Sequence, residues 1–195
     1  LKNYNLASLR TLFLAGERAD PDTINWAKDL LQIPVIDHWW QTESGHVMIG
    51  NPWGIEQMDI KVGSPSVPIP GFEIDVLDDK GNILPPNQLG SIAIKLPLAP
   101  GALPSLWKAD ERYLSAYLSK FPGYYETGDA GLKDEDGYMY IMARTDDVIN
   151  VAGHRLSTGA MEEILADHKD VAECAVVGIS DELKGQIPLG LVCLT

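Results

Sequence analysis

The stretch Tyr124 to Leu156 reads YYETGDAGLKDEDGYMYIMARTDDVINVAGHRL and contains the residues on which the interpretation of the chain depends. It predicts a turn at 127–129 (Thr-Gly-Asp), an exposed acidic loop, and a strand over residues 138–143. The glycine before Asp129 lets a ligand approach closely, and a carboxylate there suits two adjacent hydroxyls such as those of a ribose. Arg144 ends the strand and offers a fork of donors for a phosphate or a sugar oxygen. Taken singly, each of these residues also fits a surface β-hairpin with a solvated loop.

The composition indicates a packed, acidic protein. Of the 195 residues, 45% are hydrophobic, and the formal net charge is −13. The hydrophobic fraction is sufficient for a core, and the charge argues against nucleic acid or an anionic membrane as a general partner. Cys174 and Cys193 lie in apolar runs and are predicted to be buried thiols rather than a disulfide or metal pair. The sequence contains no apolar run of membrane-spanning length.

The N-terminal segment predicts a βαβ unit. Residues 9–15 (LRTLFLA) form an apolar run typical of a buried strand, and residues 34–39 form a second extended run. Between them, Asp20 and Pro21 match the first positions of a helix. Apolar residues at helical spacing predict its buried face: Ile24, Ala27, Leu30 and Leu31. Ligands of such units bind at the carboxyl ends of the strands, where residues 16–18 (Gly-Glu-Arg) and 39–45 (WWQTESG) lie.

The other segments predict two further structural regions. From 51 to 96, prolines alternate with short β-like runs, which indicates a small antiparallel β-subdomain. Near the end of the chain, Ser157 or Thr158 is expected to cap a helix. The apolar residues expected to face inward from this helix are Met161, Ile164 and Leu165. Strands are expected over Val171 to Ile179 and Leu189 to Leu194.

Three segments in a fixed order resemble the core of the adenylate-forming superfamily, and within it the short-chain acyl-CoA synthetases. They are YETGD at 125–129, ARTDD at 143–147 and NVAGHR at 150–155. The resemblance covers essentially the whole chain, and KLPLAPG at 95–101, Arg18 and His38 bring it closest to the propionate-type branch. Many relatives carry proline at the position of Arg18.

The resemblance implies a reaction and its substrates. Acetate or propionate would react with ATP, in the presence of Mg²⁺, to form acyl-AMP. The acyl group would then be transferred to coenzyme A. The implied partners are these small molecules, with no nucleic acid and no membrane span. The implied location is a bacterial cytoplasm or the mitochondrial matrix, and the oligomeric state stays open.

The resemblance also implies an α/β plus α+β fold. Residues 1–145 would be the C-terminal portion of a large AMP-binding domain, composed of the βαβ unit and the antiparallel β-subdomain. Residues 146–147 would be a hinge, with Asp146 as its pivot, and residues 148–195 the beginning of a small mobile domain. The phosphate loop and C-terminal lysine of the family do not occur in the sequence. We therefore expect a piece of a larger enzyme that does not form acyl-AMP by itself.

Site residues follow from the same resemblance. Those implied to bind ATP or AMP are Gly16, Glu17, Arg18, Asp37, His38, Trp39, Trp40, Gln41, Thr42, Asp129, Arg144 and Arg155. Trp40 would also close the acyl pocket, where its large indole excludes longer acids. Ala152 and Gly153 would line the path of the CoA pantetheine. Glu43 offers a carboxylate suited to Mg²⁺, whereas His168 and Val171 mark a region where relatives hold a cation through carbonyls.

Two other functions stay open at this stage. An aryl or amino-acid adenylating domain would share Asp129 and Arg144 but not Trp40. A nucleotide-binding module without turnover would share the nucleotide contacts alone.

Overall fold

The computed structural model describes residues 4–16, 21–152 and 154–195. The N-terminal part is the expected βαβ unit, formed by β1 (Leu12–Leu14), α1 (Pro21–Leu31) and β2 (Val35–Asp37). The two strands pair in parallel, with Leu12 opposite Val35. Proline occupies the first position of α1, where its missing N–H costs no hydrogen bond. Asp20, the expected N-cap, lies outside the described residues.

The βαβ unit buries less apolar surface than the sequence predicts. Ile24 and Ala27 of α1 are buried and pack with Val35, but Leu30 is exposed, so its predicted inward orientation is wrong. The side chain of Phe13 is also exposed, and β1 is therefore not the fully buried strand that was expected. The reason is the width of this sheet, since β1 and β2 are its only strands among the described residues.

The middle of the chain forms antiparallel sheets, as predicted. A short pair, β3 (Ile49–Gly50) and β4 (Val67–Pro68), lies beside a four-stranded sheet in the order β5 (Ile74–Leu77), β6 (Gly90–Lys95), β7 (Tyr124–Lys133) and β8 (Met139–Arg144). Its buried apolar cluster consists of Met48, Ile49, Ile74, Val76, Ile92, Ile94, Tyr125 and Met139. The stretch from 124 to 144 thus supplies half of the larger sheet.

A short helix covers part of this sheet. It begins as α2 (Asp110–Tyr113) and continues as one wider π-helical turn over Leu114–Leu118. Tyr117 and Leu118 of this turn pack against the buried apolar cluster.

The acidic loop between β7 and β8 is exposed at Glu135 and Asp136, as predicted, and Lys61 anchors it. The ammonium of Lys61 lies 2.6 Å from carboxylate oxygens of both Asp134 and Asp136. Asp134 also accepts a hydrogen bond from the backbone N–H of Tyr138 at 2.8 Å. Because Lys61 pairs with both Asp134 and Asp136, the loop is anchored to the rest of the protein.

The C-terminal part contains a second antiparallel sheet and one helix. Its elements are β9 (Val148–Val151), β10 (His154–Ser157), α3 (Thr158–Ala166), β11 (Val171–Asp181) and β12 (Gly185–Leu194), and the strand order is β10-β9-β12-β11. Ser157 is the cap, since its Oγ accepts from the backbone N–H of Ala160 at 3.2 Å. Among the described helices, none combines the length and the hydrophobicity that a membrane span requires.

Two predictions about burial in this part are wrong. Ile164 is 76% exposed, whereas α3 meets β11 through Glu162, whose carbonyl and carboxylate accept from Cys174 and Val176. Cys193 is exposed and Cys174 is half-buried, so the pair is not two buried thiols. The side chain of Cys174 instead lies under α3, with its thiol 3.3 Å from the carbonyl oxygen of Glu162.

Candidate nucleotide site

The Thr-Gly-Asp sequence at 127–129 forms a bulge inside β7, not the predicted turn. Ala130 pairs with Ser91 and Glu126 pairs with Ala93, so the register shifts between these two pairs. The hydroxyl of Thr127 donates to the carbonyl of Ile92 at 2.7 Å and accepts the backbone N–H of Asp129 at 3.1 Å. A bulge changes the direction in which the next side chain points. Here it directs Asp129 toward Gln41.

The Asp129 carboxylate is buried and firmly held. Gln41 donates from Nε2 to Oδ2 of Asp129 at 2.5 Å and to the carbonyl of Thr127 at 2.7 Å. Arg144, opposite Asp129 in the β7–β8 pair, places Nη1 3.4 Å from Oδ1. Asp129 is 7% exposed, whereas the Arg144 side chain is 54% exposed. The carboxylate is thus fixed while the guanidinium can still reach a ligand.

A cavity of about 410 Å³ brings most of the expected site residues together. The predicted residues that line it are Gly16, Asp37, His38, Trp39, Trp40, Gln41, Asp129 and Arg144. The lining residues that sequence reasoning missed are Gly63, Pro65, Ile141, Met142 and Ala143. Ile141, Met142 and Ala143 directly precede Arg144 on β8, so their position in the sequence beside a predicted site residue could have identified them. Nothing in the sequence indicated Gly63 or Pro65.

His38 is held by the end of β1. Its backbone N–H donates to the carbonyl of Leu14 at 3.0 Å, and its ring Nδ1 lies 3.3 Å from the same oxygen. The ring packs on Phe13, with 4.9 Å between centroids. Burial lowers the pKa of His38. The imidazole is therefore neutral at pH 7 and presents an uncharged face to the cavity.

The two adjacent tryptophans have different environments. Trp39 packs against the buried cluster of the larger sheet, and its backbone N–H donates to Ile49 at 2.9 Å. Trp40 is 46% exposed and lines the cavity. Trp39 therefore belongs to the core, and Trp40 is the indole available to a ligand.

Thr42 and Glu43 lie just beyond the cavity lining, in a short 3₁₀ turn over Thr42–Ser44. Ser44 closes this turn by donating from Oγ to the carbonyl of Gln41 at 2.7 Å. Glu43 accepts a hydrogen bond from the Tyr117 hydroxyl at 3.4 Å. Burial raises the pKa of Tyr117, and the charge of Glu43 adds to this effect. The hydroxyl therefore stays protonated and remains a donor.

The other predicted residues lie elsewhere. Arg155 pairs with the carboxylate of Asp79. Ala152 lies between β9 and β10 at a φ of 50° and donates its N–H to Lys184 at 2.8 Å. His168 follows α3 and accepts the backbone N–H of Val171 at 2.9 Å. Asp146 falls in a 3₁₀ turn between β8 and β9. Three predicted residues lie outside the described part of the chain: Glu17, Arg18 and Gly153.

Gly128 is predicted to be required for the position of Arg144. Its φ is +73°, and a Cβ added there would lie 2.5 Å from Nη2 of Arg144. Gly137 has a similar φ of +88° but open space around it. In each case alanine should lower the free energy of unfolding by about 1 kcal/mol through the left-handed backbone. Only Gly128→Ala should also weaken binding of the ATP that the sequence resemblance implies, by about fivefold, because Arg144 must move.

This difference is measured by calorimetric titration of ATP and by thermal unfolding of both variants in the full-length protein. If ATP affinity falls equally in both variants, or in neither, Gly128 matters for its backbone angle alone.

Comparisons with known proteins add to this geometry. Residues 1–101 match the AMP-binding enzyme family, and residues 160–195 match the AMP-binding enzyme C-terminal domain. The mitochondrial acyl-CoA synthetase short-chain family member 3 of Homo sapiens is 49% identical over 99% of this chain and 28% of its own length. The propionate–CoA ligase of Escherichia coli K12 is 42% identical over 98% of this chain and 31% of its own length.

A solved structure has a similar fold. The anthranilate CoA ligase AuaEII, in complex with anthranoyl-AMP, matches with a TM-score of 0.78 and 28% identity, over 98% of this chain and 35% of its own. The fold is therefore that of an adenylate-forming ligase. The present chain spans about a third or less of the length of each of these proteins.

Proposed function

The chain belongs to the AMP-binding enzyme family, and from this premise we propose that it is part of an ATP-dependent acid–thiol ligase. The ligase would activate acetate or propionate as acyl-AMP and transfer the acyl group to coenzyme A. The observation that carries the proposal is the buried Asp129 carboxylate, which Gln41 and Arg144 hold at the wall of the cavity. Relatives named for this chemistry support it.

Asp129 would accept hydrogen bonds from the two ribose hydroxyls of ATP. An ionised carboxylate forms strong hydrogen bonds with such donors, and its fixed position avoids the cost of ordering it when ATP binds. Gly16, Asp37 and His38 would lie along the adenine. Arg144 would use its exposed guanidinium to hold the ribose or to stabilise charge that develops on the α-phosphate.

Trp40 would set the length of the acyl substrate. Its indole lines the cavity, where a large rigid side chain leaves room for few carbons. The solved relative binds an aryl adenylate, anthranoyl-AMP, whereas we assign a short aliphatic acid to this chain. Propionate is the preferred candidate because one relative is named propionate–CoA ligase.

The residues toward the end of the chain would serve the thiol-transfer step. We propose residues 1–145 as the large-domain portion, residues 146–147 as the hinge and residues 148–195 as the start of the small domain. Rotation about Asp146 would free Arg155 from Asp79 to neutralise phosphate, and Ala152 and Gly153 would line the pantetheine path. The location would be a bacterial cytoplasm or the mitochondrial matrix, since the human relative is named mitochondrial.

Glu43 would bind the Mg²⁺ that accompanies ATP. Mg²⁺ commonly uses one or two protein carboxylates together with substrate phosphate oxygens and water. The described part of the chain holds no cluster of three or more metal-ligating side chains, and Glu43, two residues beyond the cavity-lining Gln41, offers a single carboxylate. The bound ion would neutralise charge on the phosphates. A second cation could bind near the carbonyls of His168 and Val171.

Product analysis tests the proposal. Full-length protein incubated with propionate, MgATP and coenzyme A should form propionyl-CoA, AMP and pyrophosphate in equal amounts. Omitting coenzyme A should leave propionyl-AMP on the protein. Formation of ADP and phosphate, or nucleotide binding with no acyl product, would overturn the assignment.

A further inference from the structure

Thr127 is a buried threonine in the bulge of β7, and it does not line the nucleotide cavity itself. The register of β7 on β6 leaves residues 127 to 129 opposite the single residue Ile92. The extra residues interrupt the ladder of backbone hydrogen bonds at this point. The Thr127 hydroxyl replaces the missing backbone donor, because it donates to the carbonyl of Ile92 at 2.7 Å.

The same hydroxyl holds the main chain of Asp129. It accepts the backbone N–H of Asp129 at 3.1 Å, two residues further along the chain. A threonine hydroxyl has one proton to donate and can accept with its lone pairs, so it makes both hydrogen bonds at once. Since one bond goes to β6 and the other to Asp129, the Thr127 side chain fixes the backbone from which the Asp129 carboxylate projects.

The carbonyl oxygen of Thr127 contacts both partners of the Asp129 carboxylate. Gln41 donates to this oxygen from Nε2 at 2.7 Å, and Arg144 donates from Nη1 at 3.4 Å. The same Nε2 and Nη1 atoms donate to the two carboxylate oxygens of Asp129. A shift of the Thr127 peptide would therefore displace the carboxylate, the amide and the guanidinium together.

We propose that Thr127 is a positioning residue for recognition of the ribose of ATP, an inference that rests on the proposed function. Its hydroxyl holds the bulge in the form that presents the Asp129 carboxylate to the two ribose hydroxyls. An ionised carboxylate has about four lone-pair sites, so each oxygen can accept from a protein donor and from a ribose hydroxyl. Hydrogen bonds weaken steeply with misalignment, and a tilted carboxylate would therefore bind both hydroxyls poorly.

A purely structural role for this hydroxyl predicts a different result. If Thr127 only completes the sheet, loss of its hydroxyl lowers stability and changes the affinity for every nucleotide by the same factor. If Thr127 positions Asp129, the loss weakens binding only of nucleotides whose ribose carries hydroxyls. ATP and 2′,3′-dideoxy-ATP, which lacks both ribose hydroxyls, distinguish the two roles.

The test compares Thr127→Val and Thr127→Ser in the full-length protein. Valine keeps the branched shape without the hydroxyl, whereas serine keeps the hydroxyl. In calorimetric titrations with Mg²⁺, the Kd for ATP should rise about tenfold in Thr127→Val, which is the effect of losing about one hydrogen bond. It should stay close to the unsubstituted value in Thr127→Ser. The Kd for 2′,3′-dideoxy-ATP should be the same in all three proteins.

Ser64 provides a matched control, because its buried hydroxyl makes the same pair of hydrogen bonds elsewhere. It donates to the carbonyl of Met139 at 2.6 Å and accepts the backbone N–H of Ser66, two residues further along, at 3.0 Å. Ser64→Ala should lower the melting temperature but leave the ratio of the two Kd values unchanged. Thermal unfolding of every variant accompanies the titrations.

Three results would overturn the inference. They are an unchanged Kd ratio in Thr127→Val, an equal change of the ratio in Ser64→Ala, and a loss in Thr127→Ser as large as that in Thr127→Val. Where valine prevents folding, Thr127→Ala gives the same comparison. Equal affinity of the unsubstituted protein for ATP and 2′,3′-dideoxy-ATP would overturn the inference without any variant. The ligase function is judged separately, by propionyl-CoA formation in the unsubstituted protein.

Discussion

Asp129→Ala is expected to raise the KM for ATP about a hundredfold in the full-length protein. Two charge-assisted hydrogen bonds to the ribose would be lost, which together are worth about 3 kcal/mol. The substitution also leaves the Gln41 amide without its carboxylate acceptor, so the remaining site residues are less firmly held. The measurement is the ATP dependence of propionate-driven pyrophosphate exchange.

Thermal unfolding must accompany this measurement, because Asp129 is buried. The matched control is Asp136→Ala, an exposed acid on the neighbouring loop that also contacts a cation, Lys61. This variant should bind ATP normally. If the KM for ATP hardly moves in Asp129→Ala, Asp129 is a structural residue of the bulge and the ribose assignment fails.

Trp40→Gly is expected to shift substrate preference toward longer acids. Hexanoate has three more methylenes than propionate, and each buried methylene contributes about 0.8 kcal/mol. The ratio of kcat/KM for hexanoate over propionate should therefore rise by about fiftyfold once the indole no longer closes the cavity. Steady-state kinetics with acids of two to six carbons give this ratio directly.

Trp26 provides the control for this substitution. It is a tryptophan on α1 that is 63% exposed and does not line the cavity. Trp26→Gly should leave the ratio unchanged, although glycine in a helix lowers stability by about 1 kcal/mol. A parallel loss of activity toward both acids in Trp40→Gly would mean that the indole supports the fold rather than selecting the substrate.

Local patterns in the sequence predicted the elements of the fold better than their burial. The βαβ unit, the antiparallel strands and the C-terminal hairpin all follow from periodicity and turn residues. The exposure of Leu30 and Ile164 does not follow from periodicity, because an apolar helix face does not specify how much of it a neighbouring element covers. Burial depends on tertiary packing, which periodicity alone does not contain.

The candidate site was predictable where its residues follow a strand and not where it depends on long-range pairing. Trp40 and Gln41 follow β2, so a ligand site was expected there. That the Gln41 amide binds Asp129 could not be read locally, since the two residues are 88 positions apart. The bulge at Gly128 was interpreted as a turn because a positive φ suits both structures, and only the pairing with β6 distinguishes them.

The most direct test of the account is a crystal structure of the full-length protein with a non-hydrolysable propionyl-AMP analogue. We expect both ribose hydroxyls within hydrogen-bonding distance of the Asp129 carboxylate, the adenine beside Gly16 and Asp37, and the propionyl group against Trp40. A ribose bound away from Asp129, or an analogue bound outside the cavity that these residues line, would contradict the account.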